Sequence, residues 1–172
     1  MGSDTGLSVA AVRHAARLAS EIGGTSNDAV NCTGTLDGTK TTVAIQDQLI
    51  VQTVLAVTKN ISFMGGLGAG KAPKGSPDEI DIYRPTRTDG TLDISADHYN
   101  KYVFNDTFTN AQSGTVPYTL SERCQGPLPK EAEIGVRLIW SYRPANGIPG
   151  PNFTFTEFAV EKMALCSDNC NP

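Results

Sequence analysis

Ile134-Gly135-Val136-Arg137-Leu138-Ile139-Trp140-Ser141-Tyr142, a Pro/Gly-rich connection from Pro144 to Pro151, then Phe153-Thr154-Phe155-Thr156-Glu157-Phe158-Ala159-Val160-Glu161-Lys162-Met163: the reading of this stretch decides the fold class. Each half is rich in β-branched and aromatic residues and bounded by turn formers, the composition of a strand. Two such segments with a short loop between them predict an antiparallel pair. In the second segment Phe153, Phe155 and Ala159 fall on one parity, and Phe158 and Val160 on the other. That predicts a bulge or a change of face near Glu157. Trp140 and Phe155 are the candidates to fill a core under the sheet.

Working back toward the N-terminus, the period changes from two to about 3.6. Leu7, Ala11, Ala15, Leu18 and Ile22 share one face of a predicted helix over 7–22, and Gly23-Gly24 supplies its C-terminal stop. Arg13, Arg17 and Glu21 form a second, solvated stripe at i, i+4 spacing. Residues 25–42 read as loop. A second helix is predicted from Val43 to about Val57. Ile45, Leu49, Gln52 and Ala56 lie on one line of it, Asp47, Ile50, Val54 and Val57 on the adjacent line, and Thr41 or Thr42 caps its start. Glu79 to Arg84 alternates like a half-buried strand, and Asp89-Gly90 marks a turn. Residues 93–130 show no sustained period and read as a long excursion with short elements, carrying Tyr99, Tyr102, Phe104, Phe108 and Tyr118. Helices first and strands later predict an α+β fold: an N-terminal helix, plus a second helix, packed on an antiparallel sheet.

The 172 residues and 18.2 kDa suit one domain. Met1-Gly2-Ser3 reads as an expression remnant, leaving 4–172 as a single globular unit. A net charge of −4, with no cluster of Lys and Arg, argues against nucleic acid as a partner. No apolar run approaches the roughly 20 residues of a membrane span, and no secretory h-region is present. The four cysteines, Cys32, Cys124, Cys166 and Cys170, match no zinc spacing. Their even number and loop-like neighbourhoods favour disulfides, with Cys32–Cys124 and Cys166–Cys170 preferred among the three connectivities, and four reduced thiols as the alternative.

Motifs for chemistry are weak. Gly65 to Lys71 meets the G-x-x-x-x-G-K spacing. However, Ala72 replaces the metal-binding Ser or Thr, no apolar strand leads in, and Pro73 and Pro77 oppose the following helix. The segment reads as a loop, with no nucleotide. His14 lies beside the arginine stripe of a helix. His98 follows Asp97 and could act as a base, but there is neither a G-x-S-x-G elbow nor an activated cysteine. No catalytic residue, cofactor or resident metal is assigned, and the chain does not read as an enzyme. Asp78, Glu79 and Asp81, and likewise Asp89, Asp93 and Asp97, read as solvated turn acids, with adventitious calcium at the second set as the sharper alternative. Sequons stand at Asn31, Asn60, Asn105 and Asn152.

Taken in order, Ala11-Val12-Arg13-His14-Ala15-Ala16-Arg17-Leu18-Ala19, Asp47-Gln48-Leu49-Ile50-Val51, Ile80-Asp81-Ile82-Tyr83-Arg84 with its Asp-Gly turn, and above all Glu133 to Arg143 closing with Phe153 to Met163, resemble TadE-like pseudopilins. The motifs are soft hydrophobic patterns spread over most of the chain. The resemblance implies a minor pilin or pseudopilin of a Tad-type pilus or secretion apparatus. Such a subunit is membrane-anchored by an apolar helix that would run into Leu7, and lies in the cell envelope or outside the cell. Its partners would be other pilin subunits and Tad assembly proteins. Leu7, Ala11, Ala15, Leu18 and Ile22 would then form the assembly helix. The aromatic-rich stretch between His98 and Pro129 would be the partner-binding or adhesive region, removable without loss of the fold. The alternative is a secreted stand-alone carbohydrate-binding or hydrolytic domain with Tyr99, Tyr102 and Tyr118 lining a groove.

Overall fold

The computed structural model describes residues 2–23, 35–36, 39–40, 43–59, 77–105, 107–110, 116–123, 133–142 and 153–163. Helix α1 spans Gly2–Gly23 and helix α2 spans Val43–Thr58. α1 begins a turn and a half before the predicted Leu7, so Gly2 and Ser3 are helical. No proline interrupts those turns, and helical backbone propagates once nucleated. Its buried side is rotated slightly from the predicted line. Ala11 and Ala15 are fully buried with Val12, Ala16 and Ala19 beside them, whereas Leu7 and Leu18 are only half-buried. Such small side chains let α1 lie close on what it covers. Arg13, His14 and Arg17 face solvent, and Arg17 pairs with Glu21 at 3.1 Å. No helix among the described residues is long and apolar enough to cross a membrane.

Strands β1 (Thr35–Leu36) and β2 (Thr39–Lys40) make a small separate hairpin. The main sheet contains β3 (Glu79–Tyr83), β4 (Tyr99–Asn105), β5 (Thr107–Asn110), β6 (Glu133–Tyr142) and β7 (Phe153–Lys162), in the order β5-β4-β3-β6-β7 and antiparallel throughout. A 3₁₀ turn, η1 (Leu120–Arg123), precedes β6. The protein is therefore α+β, with helices and antiparallel sheet as the residue periods predict.

Two details of the sheet differ from the expectations. Within 93–130, read as an excursion with short elements, the seven-residue β4 and four-residue β5 belong to the main sheet and pair from Tyr102–Asn110 to Asn105–Thr107. The alternation of β4 is disguised by a polar residue, Asn100, at a core-facing position. Nor does β7 carry a bulge at Glu157: the ladder to β6 runs without a break from Glu133–Lys162 to Tyr142–Phe153. Phe155 and Phe158 simply lie on opposite faces of an edge strand, 42% and 40% exposed. Phe155 is thus not the core anchor the sequence suggests, while Trp140 is fully buried.

Both helices cover one face of the sheet. α1 packs on β6 and β7 and against α2, and α2 reaches β4 through Asp47. The core between the layers joins Ala11, Ala15, Ile50, Val54, Ile80, Ile82, Val136, Leu138 and Trp140, with Met163 closing one end. Gly135 has a particular duty on the opposite face. A methyl group there would stand 2.3 Å from Cζ of Tyr83, so only glycine lets the ring lie across β6.

Candidate functional site

Three polar constellations surround this core. The first lies beneath α2. Arg123 and Asp47, 1% and 0% exposed, form an ion pair with no access to water. Asp47 Oδ2 also accepts from Asn100 Nδ2 at 2.8 Å and from the Tyr102 hydroxyl at 2.6 Å. Asn100 bridges on to Tyr118, donating to its carbonyl at 3.0 Å and accepting from its amide at 3.1 Å. The Arg123 guanidinium sits 4.6 Å from the centroid of the Tyr118 ring, a cation–π contact. Burial pushes the Tyr102 and Tyr118 hydroxyls well above the ordinary tyrosine range, so both remain donors. This network joins α2, β4 and η1, and its function is to hold them together.

The second constellation is a ladder on the sheet face away from the helices. Lys101 on β4 meets Glu79 on β3 at 2.5 Å, and Arg137 on β6 meets Asp81 at 2.8 Å and Glu79 at 3.5 Å. Glu79 and Asp81 are therefore strand residues held by cations across the sheet, not solvated turn acids. Burial pushes the Asp81 carboxyl up to about 6 despite Arg137 beside it, and its Oδ1 has no hydrogen-bond partner among the described residues.

The third is the connection from β3 to β4, residues 84–98, which folds back across the ends of β6 and β7. Asp97 organises it: Oδ1 accepts from the Thr86 amide at 2.9 Å and Oδ2 from the Asp93 amide at 2.8 Å. Asp93 and Asp89 each close a small turn on Ser95 and Thr91, whose hydroxyls and amides hold both carboxyls below the usual range. The turn at Asp89-Gly90 forms as expected, with the Gly90 amide donating to the Arg87 carbonyl at 3.0 Å and φ of 75° at Gly90. The Tyr83 hydroxyl donates to the Gly90 carbonyl at 2.6 Å and ties the connection to the sheet. The three acids named as a calcium set each serve their own backbone turn, and among the described residues no group of three His, Cys, Asp or Glu could hold a metal ion.

Between this connection and β7 opens a groove of about 1040 Å³. Thr86, Arg87 and Asp89 line one wall, Phe158 and Val160 the floor, and Arg13 and Glu161 the end nearest α1. Arg87 leans on Asp89 and Asp93 at 3.7 and 3.6 Å, one guanidinium shared between two carboxylates. The groove offers hydrogen-bonding groups beside the exposed aromatic ring of Phe158. A second cavity, about 400 Å³, continues along α1 past Gly6, Ala10 and Arg13.

The sequence-predicted site residues fare unevenly. His98 is not paired with Asp97; its Nδ1 meets Glu122 Oε1, and Arg84 stands 3.8 Å from the same oxygen. Burial pushes the Glu122 carboxyl up, but the Thr119 amide and hydroxyl together with His98 draw it below its usual value. His14 lies on the exposed side of α1. Tyr99, Tyr102 and Tyr118 are 6%, 7% and 0% exposed and cannot line a surface groove or an adhesive loop. The region from His98 onward supplies Asn100, Tyr102, Tyr118 and Arg123 to the interior, so it is not a removable appendage. The side chains of Ile22, Phe104 and Phe108, all four cysteines, Thr41, Thr42 and the glycine run of 65–71 lie outside the described residues.

Residue patterns did not point to Asp47, Asn100 and Arg123 as a unit, because their meeting spans 53 and 76 positions of chain. The available signal was a carboxylate on the apolar line of a helix, since an acid in that position needs a buried partner.

Fold and site together define a two-layer α+β domain with a polar groove along one sheet edge. No protein-family model, curated protein or solved structure matches the chain.

Proposed function

We propose that the protein is a structural subunit of the TadE-like pseudopilin kind, a minor pilin of a Tad-type pilus or secretion apparatus that acts in assembly and surface adhesion. The observation that supports this reading is the layout of α1. An alanine-rich stripe seats the first helix on β6 and β7, while Arg13, His14 and Arg17 along its other side stay exposed. A helix held on one side only is suited to being continued upstream as an anchor and to lying beside other subunits. In this reading the partners are other pilin subunits and Tad assembly proteins, and the groove between the 84–98 connection and β7 takes the place of the aromatic loop as the outward-facing contact surface. The work is mechanical and adhesive, with no cofactor.

An antibody raised against the domain tests the reading on the full-length protein in its own cells. The expected result is antigen in the membrane fraction and immunogold label on sheared surface fibres. Antigen confined to the culture medium, with unlabelled fibres, would overturn it in favour of the secreted ligand-binding alternative.

A further inference from the structure

Asp89-Gly90-Thr91 carries a chemical hazard in its main chain. In an Asp-Gly pair the glycine nitrogen can attack Cγ of the preceding side chain, and no Cβ on the glycine obstructs the approach. The Cγ–N bond forms as the protonated carboxyl loses its hydroxyl, which leaves as water with the amide proton. The product is a five-membered succinimide, which water reopens at one of two carbonyls. Opening at Cγ restores aspartate. Opening at the main-chain carbonyl yields isoaspartate, with Cβ inserted into the main chain and the former α-carboxyl left as a side group. One water leaves and one returns, so nothing else is consumed.

Every group this reaction needs is engaged elsewhere in the folded chain. Asp89 Oδ1 accepts from the Thr91 hydroxyl at 2.7 Å and from the Thr91 amide at 3.0 Å, and Nε of Arg87 stands 3.7 Å from the same oxygen. All three favour the carboxylate over the protonated acid that must react. The Thr91 hydroxyl first, and then its amide, hold this carboxyl below the ordinary aspartate range. The Gly90 N–H, whose proton has to leave, donates to the Arg87 carbonyl at 3.0 Å. On the other side of the same residue, the Gly90 carbonyl accepts from the Tyr83 hydroxyl at 2.6 Å. The Asp89 side chain is 58% exposed, so the protection comes from hydrogen bonds and not from exclusion of water.

We infer that Asp89-Gly90 is a latent site of isoaspartate formation, and that the Thr91 hydroxyl is the positioning group that keeps it unreacted. An added main-chain carbon at residue 89 would carry the Gly90 carbonyl away from Tyr83 and the carboxyl out of the groove wall. Ageing of this one bond would therefore dismantle the wall, whatever the groove binds.

The test is to age the 172-residue protein at neutral pH, folded or unfolded in guanidinium chloride, and to count isoaspartate by peptide mapping. Asp37-Gly38-Thr39 repeats the tripeptide and gauges its intrinsic rate in the unfolded chain. Isoaspartate at residue 89 is expected to form at least about tenfold more slowly in the folded chain than in the unfolded one, because hydrogen bonds to a carboxylate must break before the attack. Thr91→Val keeps the amide and the branched shape but removes the hydroxyl. It should speed ageing at residue 89 several-fold in the folded protein and leave the unfolded rate unchanged, whereas Thr91→Ser should match the parent. Equal rates at residue 89 in folded and unfolded parent chains, a comparison that needs no substitution, would overturn the inference. So would a Thr91→Val chain with an unchanged melting temperature that ages there no faster than the parent.

Discussion

Asp47 and Arg123 form an ion pair where almost no water reaches, and two opposing magnitudes set what it is worth. Removing both charges from solvent costs several kcal/mol each. Their attraction and the hydrogen bonds from Asn100 and Tyr102 offset that cost without a large surplus. Deleting one partner is a different matter, because the other charge stays buried and uncompensated. Asp47→Ala is therefore expected to destabilise by about 3–5 kcal/mol. Asp47→Leu combined with Arg123→Met should recover most of that loss. Chemical denaturation of the three chains checks it, and a double variant as unstable as the single one would show that the surrounding polar groups, not the pair, carry the cost.

At the scale of elements, α1 was legible from its helical period, α2 from the length of its apolar segment, and the pair β6–β7 from β-branched and aromatic composition on either side of a short Pro/Gly connection. Val43–Thr58 and Glu79–Tyr83 fall within a residue or so of the expected bounds. β4 was not legible, since Asn100 stands where an apolar residue would have announced the strand, and its justification is Asp47 on a distant helix. The groove escaped for a related reason: its wall is a connection shaped by Asp97 accepting two backbone amides, which leaves no hydrophobic trace in the chain. The exposure of Phe155 also had no sequence signal, because alternation assigns a face and not a distance from the sheet edge. Trp140 and Phe155 lie directly opposite each other on β6 and β7, yet their truncations should differ sharply. Trp140→Ala is expected to cost about 3–5 kcal/mol, and Phe155→Ala under about 1 kcal/mol. Equal losses in thermal or chemical melts would show that the edge is covered in solution.

For the whole molecule, the ladder on the outer sheet face gives stability an unusual dependence on pH. The folded chain holds a proton on Asp81 up to about pH 6, whereas the unfolded chain releases it near 3.8. Between those values the native state binds more protons, so this residue's contribution is present at low pH and is lost as pH rises through about 6. Glu122 works in the opposite sense: its lowered carboxyl favours the fold above the ordinary glutamate range and ceases to do so as pH falls. Asp81→Asn removes the first effect alone. On passing from about pH 3.5 to 7.5, its unfolding free energy should change more favourably than that of the parent chain by about 2–3 kcal/mol. Parallel pH profiles would show that Arg137 keeps Asp81 ionised throughout.

The ion pair beneath α2 also bears on how such a chain can drift over generations. Position 47 on a helix and position 123 in a 3₁₀ turn form a valley between two workable states, charged with charged and apolar with apolar, and each single step across it exposes the lineage to an unstable intermediate. Descendants of a common ancestor should accordingly show the two positions changing together or not at all, with Asn100 free to vary only where both charges are gone. An aligned set of relatives in which Asp47 is replaced while Arg123 persists would mean that some neighbouring change had already supplied a new anion.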